Sequence, residues 1–173
     1  MNNEKCLIVV GEGGIPLDFP KKELSYFLIL KAKIESNLDL SEEERRVFEE
    51  LKNRLKNWER NFRNDEYYHS LFDLSNYIER RFKIKTYFAF LDFSEPDLIK
   101  SIDNAIKEGF KKIFIVSLKL ILKKEDYLKI KDEIDLIKMK YSDVKIYNFT
   151  NLDLEEISNF LINLVENKRK IQE

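Results

Sequence analysis

Cysteine, proline, glycine and histidine are all scarce in this 173-residue chain. The one cysteine, Cys6, lies in the apolar run KCLIVV. It reads there as a small buried hydrophobe, so no disulfide framework is available and a reducing cytoplasm is the expected setting. No stretch approaches the roughly 18 apolar residues of a membrane span. The opening MNNEKCLIVVGEGG lacks the long apolar segment and small-residue cleavage site of a secretory signal, so a soluble protein with no membrane partner is expected. An excess of charge of one sign is missing as well. The 31 basic and 32 acidic side chains nearly cancel, leaving no net field to recruit nucleic acid. With three prolines and four glycines, and no low-complexity or linker-like stretch, the chain reads as one domain over 1–173.

What is present is an alternation of strand and helix signals. The apolar runs at 5–10, 84–91, 111–118 and 144–149 read as strands, and three of the four are near-continuous hydrophobics, the pattern of strands covered on both faces of a parallel sheet. Helical periodicity fills 97–108, which Gly109 can end, 124–141 and 153–168. The result is an α/β chain. The stretch from 20 to 82 is too long for one crossover. It divides into a helix over 21–36, whose YFLIL could also pass for a strand, a helix from the Ser41/Glu44 capping box to about Phe62, and a helix over 66–82 capped by Asp65. The first two form an inserted helical hairpin over about 20–62. In it Val47, Leu51, Leu55 and Trp58 make one apolar face that packs on the domain or on a second subunit.

Three of the four glycines flank one glutamate in IVVGEGGIP (8–16). Gly11, Gly13 and Gly14 let the chain turn at the end of the first strand and approach a ligand closely, with Glu12 over the strand ends; a plain tight turn carrying a solvated Glu is the other reading. Ligands of open parallel sheets collect outside the strands' carboxyl ends, where this sequence also places Asp92 with Glu95, and the segment Lys119 to Glu125. Lys119, Lys123, Lys124 and Lys129 could be counter-charges for an anionic ligand or ordinary surface lysines. His69 could face the site or lie on the solvated surface, and Glu95–Pro96 could equally be a helix entry with Pro in its first turn.

The segment AFLDFSEPDLIKSIDNAIKEGFKKIFIVSLKLIL (89–122) resembles the small CbiX-type sirohydrochlorin chelatases, class II enzymes that insert cobalt, nickel or iron into a tetrapyrrole. In that family a strand ends in AFLE…EPSL and the next strand gives VVPLFL. Ala89, Phe90, Leu91, Asp92, Glu95, Pro96 and Leu98 match the first pattern, Gly109 and KKIFIVSLKLIL follow the second more loosely, and CLIVVGEGG sits where the family has LLLVGHGSR. The resemblance covers about 5–12 and 66–165 and leaves the hairpin outside. It implies a three-layer fold with a four-stranded, mainly parallel sheet in order 2-1-3-4, helices on both faces, and a homodimer that completes the pocket.

It also implies a site, with departures. Where the family has its two catalytic histidines this chain has Glu12 and, nearest the second, Glu125. By resemblance these two would be the catalytic and metal-binding residues, with Gly11, Gly13, Gly14, Asp92, Lys119, Lys123 and Lys124 around the tetrapyrrole. The divalent ion (Co2+, Ni2+ or Fe2+) would be substrate, and no organic cofactor is implied. Carboxylates are harder ligands than imidazole and weaker bases at neutral pH. A metal-inserting enzyme, a tetrapyrrole- or metal-binding homologue without catalysis, and an interaction protein working through the hairpin therefore all stay open.

Overall fold

The computed structural model describes residues 5–119 and 121–172, with the side chains of the last helix described to residue 163. In chain order the elements are β1 (Lys5–Gly11), α1 (Lys21–Glu35), α2 (Glu42–Lys56), α3 (Glu66–Phe82), β2 (Lys85–Phe90), α4 (Leu98–Lys107), β3 (Lys112–Ser117), α5 (Lys124–Lys140), β4 (Lys145–Phe149) and α6 (Leu154–Gln172). The four strands form one all-parallel sheet in the order 2-1-3-4, as expected. β1 is central, with Ile8 opposite Tyr87 on one side and Ile115 on the other.

Strand alternation explains the unbroken apolar run of β1. Cys6, Ile8 and Val10 are fully buried on one face against Leu98, Ile102 and Ala105 of α4 and Ile130, Ile134 and Ile137 of α5. Val9, with Phe90, packs on Leu71, Tyr68 and Leu74 of α3 on the other face. From Ile8 to Val10 both faces of this strand are buried, so no polar residue alternates into that stretch. Burial also pushes the Cys6 thiol up to about 12, in keeping with an inert core cysteine.

β2 lies at an edge, and side chains and loop backbone blunt it. Thr86 N–H donates to Glu79 (3.3 Å), Phe88 C=O accepts from the Ser101 hydroxyl (2.7 Å), and Phe90 N–H donates to Pro96 C=O (2.9 Å).

Helix ends follow the predicted caps. Ser41 and Glu44 complete a capping box, and Asp65 accepts from Tyr68 N–H at 2.9 Å. Gly109, at φ +92°, lets the chain leave α4 just past its C-cap. YFLIL is helical, with Phe27 and Leu30 buried. Two helix ends differ from expectation by four residues or more, α6 running on to Gln172 instead of 168 and α2 falling short. α2 stops at Lys56 instead of running to about Phe62, because the chain turns there to bring the Trp58 indole N–H to Asp18 (2.9 Å) and Arg60 to Asp65 (2.6 Å). Pro96 precedes α4 instead of entering it, since Asp97 is the cap and accepts from Lys100 N–H at 3.0 Å.

The hairpin is antiparallel. Glu23 at the start of α1 pairs with Arg54 at the end of α2 (2.5 Å), and Lys33 near the end of α1 pairs with Glu44 in the first turn of α2 (2.6 Å). Its apolar stripe turns inward: Leu51, Leu55 and Val47, with Trp58 beyond the helix end, pack with Phe19 and Phe27 and with Ile15 and Phe93 from the strand-end loops.

Candidate functional site

The sheet's carboxyl edge is organised around the glycine segment. Pairing continues past the strands, with Leu91 N–H donating to Gly11 C=O and Asp92 N–H to Glu12 C=O, each at 2.9 Å. Gly13 sits at φ +93°, and a Cβ there would lie 1.9 Å from the Asp92 carbonyl oxygen, so glycine is needed to let the two loops touch. Behind them the Arg60 guanidinium donates to Gly14 C=O (2.9 Å), to Leu55 C=O (2.8 Å), to Phe93 C=O and to the Asp65 carboxylate (2.6 Å). The Arg60 and Asp65 side chains are 4% and 2% exposed, so this pair is a buried clamp between hairpin base, glycine loop and β2 loop.

On this frame Glu12 points outward, its side chain 58% exposed, with its backbone N–H donating to the Tyr67 hydroxyl at 3.2 Å. From the end of β3, Leu118 N–H donates to Val10 C=O (3.0 Å) and Lys119 N–H to the Ser117 hydroxyl (3.0 Å). The Lys119 ammonium lies 3.2 Å from a Glu12 oxygen and 3.2 Å from an Asp126 oxygen. Hydrogen bonds to Glu12 and Asp126 hold its pKa above the ordinary lysine value. Two carboxylates from different elements thus meet on one cation position.

The other predicted site residues are placed as follows. Glu125, Lys123 and Lys124 are exposed at the start of α5, Glu125 in its first turn, where an acidic side chain suits the helix dipole. Asp92 stands 3.5 Å from the Lys129 ammonium, which also donates to Leu91 C=O. His69 lies among the rings of Phe62, Tyr68 and Phe72. Among the described residues no group of three or more His, Cys, Asp or Glu is placed to hold a metal ion.

Asp126 is the residue that sequence reasoning missed. Its signal is helical phase: Ile130, Ile134 and Ile137 are the buried residues of α5, and Asp126, four before Ile130, shares their face. Arg60 carried no such signal, because its partners come from positions 14, 55, 65 and 93.

Beside Asp92 opens a cavity of about 270 Å³, walled by α1 and α2 on one side and by Lys129 and Glu133 of α5 on the other. Glu133 makes no hydrogen bond or ion pair among the described residues, and burial pushes its pKa up. Lys56 closes the inner end, held by Asp97 (3.0 Å) and Glu95 (3.4 Å).

No family model matches the chain, and no curated protein matches it. Solved structures similar in arrangement include SirB from Bacillus subtilis with Fe3+, at 15% identity and TM-score 0.41, covering 84% of this chain and 39% of that one. A second is the sirohydrochlorin chelatase SirB from Bacillus subtilis subspecies spizizenii in complex with cobalt, at 14% identity and TM-score 0.42, covering 84% and 42%. A candidate cobalamin (vitamin B12) biosynthesis CbiX protein from Marinobacter aquaeolei VT8 is similar at 11% identity and TM-score 0.43, covering 97% of both chains. The chain thus spans less than half the length of the two SirB structures.

Proposed function

We propose that the protein is a divergent sirohydrochlorin chelatase-like protein that takes a divalent metal, cobalt, nickel or iron, as substrate and inserts it into a tetrapyrrole at the carboxyl ends of β1 and β3. The observation that carries this reading is the meeting of Glu12 and Asp126 on one cation position, each 3.2 Å from the Lys119 ammonium. Two carboxylates aimed at one point attract a divalent ion, and as hard oxygen donors they would hold cobalt, nickel or iron less tightly than imidazole does, leaving the ion free to pass to the macrocycle. Lys119 must swing away as the metal arrives, which frees its ammonium for a carboxylate of the macrocycle. Glu125, one residue before Asp126, belongs to the proposed metal side, and Gly11, Gly13, Gly14, Asp92, Lys123 and Lys124 to the macrocycle side. Insertion exchanges the metal for the pyrrole N–H protons, which pass to the carboxylates beside the ion and on to water.

A second reading, a binding protein without catalysis, is favoured by Lys119 itself, which already neutralises the pair that the metal needs. Titration with sirohydrochlorin and Co2+ or Ni2+, followed by absorbance, separates the two. Insertion predicts the metallated spectrum, formed about tenfold or more slowly with Glu12→Gln or Asp126→Asn. A spectral shift of the free macrocycle with no metallation supports binding alone, and no shift of either kind overturns both. A homodimer completing the pocket belongs to the same proposal; light scattering at micromolar concentration should give about twice the 20.9 kDa of one chain, and a species at 20.9 kDa alone overturns that part.

A further inference from the structure

Each helix of the hairpin carries a Phe and, one turn on, a Lys: Phe27 and Lys31 on α1, Phe48 and Lys52 on α2. All four line the cavity beside Asp92. The two rings stack face to face, 5.2 Å apart and 5° from parallel, and Phe93 from the β2 loop stands edge-on to Phe27 at 6.2 Å. Because the helices are antiparallel, the two lysines lie on opposite sides of the ring pair along the hairpin, one towards its tip and one towards its base. Each is about 6 Å of helix rise from its Phe.

These two ammoniums differ from the other cations of the cavity. Lys56 is locked by Asp97 and Glu95, and Lys129 by Asp92 and Leu91 C=O. Among the described residues Lys31 pairs with Glu35 one turn along its own helix, and Lys52 with Glu49 at 3.7 Å while its ammonium lies 5.8 Å from the Phe48 ring centre; both carboxylate partners are more than half exposed. Exposed pairs of this kind contribute only about 0.2–1 kcal/mol, so either ammonium can exchange its partner for a better one. A cavity with an apolar wall of stacked rings and two exchangeable ammoniums suits an aromatic group bearing carboxylates. At about 270 Å³ it lies at the small end of ligand pockets, a fit for part of a macrocycle, one ring with its acidic arms.

Building on the proposed function, we infer that the inserted hairpin is a substrate-reading wall: one carboxylate-bearing ring of the tetrapyrrole docks against the partly exposed Phe48, backed by the buried Phe27, with its acidic arms on Lys31 and Lys52. The α5 face carrying Asp126 towards Lys119 continues through Lys129 to Glu133 in this cavity, so the two regions share one helix face. The hairpin thereby selects the carboxylate-rich macrocycle.

The test is fluorescence titration of the full chain with metal-free uroporphyrin, an octacarboxylate, and mesoporphyrin, a dicarboxylate. Lys31→Gln, Lys52→Gln and the double variant are compared with wild type, and circular dichroism verifies that each is folded. Wild type should prefer the octacarboxylate. Each single change should weaken its binding about three- to tenfold and the double change more, while mesoporphyrin binding moves less than about twofold. If both porphyrins bind and the lysine changes leave their ratio unchanged, the hairpin inference is overturned and the proposed function stands. If neither binds wild type, the hairpin inference is overturned, and the sirohydrochlorin titration alone decides the proposed function.

Discussion

Replacing Arg60 with Ala removes the guanidinium that joins the hairpin to both strand-end loops, and its cost can be worked from the structure. Both members of the Arg60–Asp65 pair are almost fully buried, and breaking such a pair by removing one partner costs about 3–5 kcal/mol because the other charge is left uncompensated. Three carbonyls, of Gly14, Leu55 and Phe93, lose a donor at the same time. A buried acceptor left bare costs about 1–3 kcal/mol, although water entering the vacated space can satisfy some of them. Three features offset part of the loss: Asp65 keeps its bond from Tyr68 N–H, the Leu55 carbonyl keeps the Trp58 N–H at 3.3 Å, and the buried Arg60 Nε has no partner among the described residues to lose. A net loss of about 4 kcal/mol is therefore expected, a large share of the roughly 5–15 kcal/mol that holds a domain folded. With a urea slope of about 2 kcal/mol/M, the unfolding midpoint should fall by about 2 M. Trp58, the only tryptophan, packs edge-on against Phe19 at 4.9 Å beside the clamp, so its fluorescence reports the hairpin base while far-ultraviolet circular dichroism reports the whole chain. The fluorescence transition should move first in the variant. A midpoint shift under about 0.5 M, or one no larger than that of Asp65→Asn alone, refutes the clamp.

Other outcomes follow from single contacts. Gly13→Ala should cost more than about 3 kcal/mol, since its Cβ would meet the Asp92 carbonyl at 1.9 Å, whereas Gly109→Ala, at nearly the same φ but with open space around it, should cost only about 1 kcal/mol by urea titration. For Asp97, burial raises the pKa, but the Lys100 N–H and the Lys56 ammonium outweigh it and leave the carboxyl below the usual Asp range. Its contribution is thus present above the unfolded Asp pKa and lost as pH falls through the folded one; Asp97→Asn keeps a good cap but should flatten the decline in stability below about pH 5. Lys119→Met should raise Co2+ affinity about tenfold in a calorimetric titration by leaving Glu12 and Asp126 without their ammonium; an unchanged affinity means that the pair is not the metal position.

Most of the fold was legible because its signals are local. Unbroken apolar runs marked the strands, and Ser41, Asp65 and Gly109 marked helix ends within a residue or two of where they fall. The order of the strands came from the resemblance in 89–98 and not from any local pattern. α2 is shorter than its apolar spacing predicts for a physical reason: Trp58 continues the spacing of Val47, Leu51 and Leu55, and what pulls it off the helix is a hydrogen bond to Asp18, forty residues away. The site was legible as a place, the strand ends, but not as a set of contacts. That Lys119 bridges Glu12 and Asp126 depends on the rotation of α5, fixed by three isoleucines packing on the sheet. That Gly13 and Gly14 are needed at all depends on Asp92 and Asp65 arriving from distant parts of the chain.

The clamp and the cavity bear on each other. Arg60 holds Leu55 of α2, Phe93 of the β2 loop and Gly14 of the glycine loop at once, so the distance between hairpin and strand ends is set by buried bonds and not by the exposed segments that lead into and out of the hairpin. Lys56, one residue after Leu55, extends this fixed region to α4 through Asp97. Further out along α2 the next cation of the cavity is Lys52, whose ion-pair partner among the described residues, Glu49, lies one turn back on the same exposed surface. A site arranged in this way can hold the inner edge of a rigid ring in one place while its outer ammoniums adjust to the acidic arms. It can do so without moving Glu12, because the loop carrying Glu12 is fastened to the same guanidinium through Gly14.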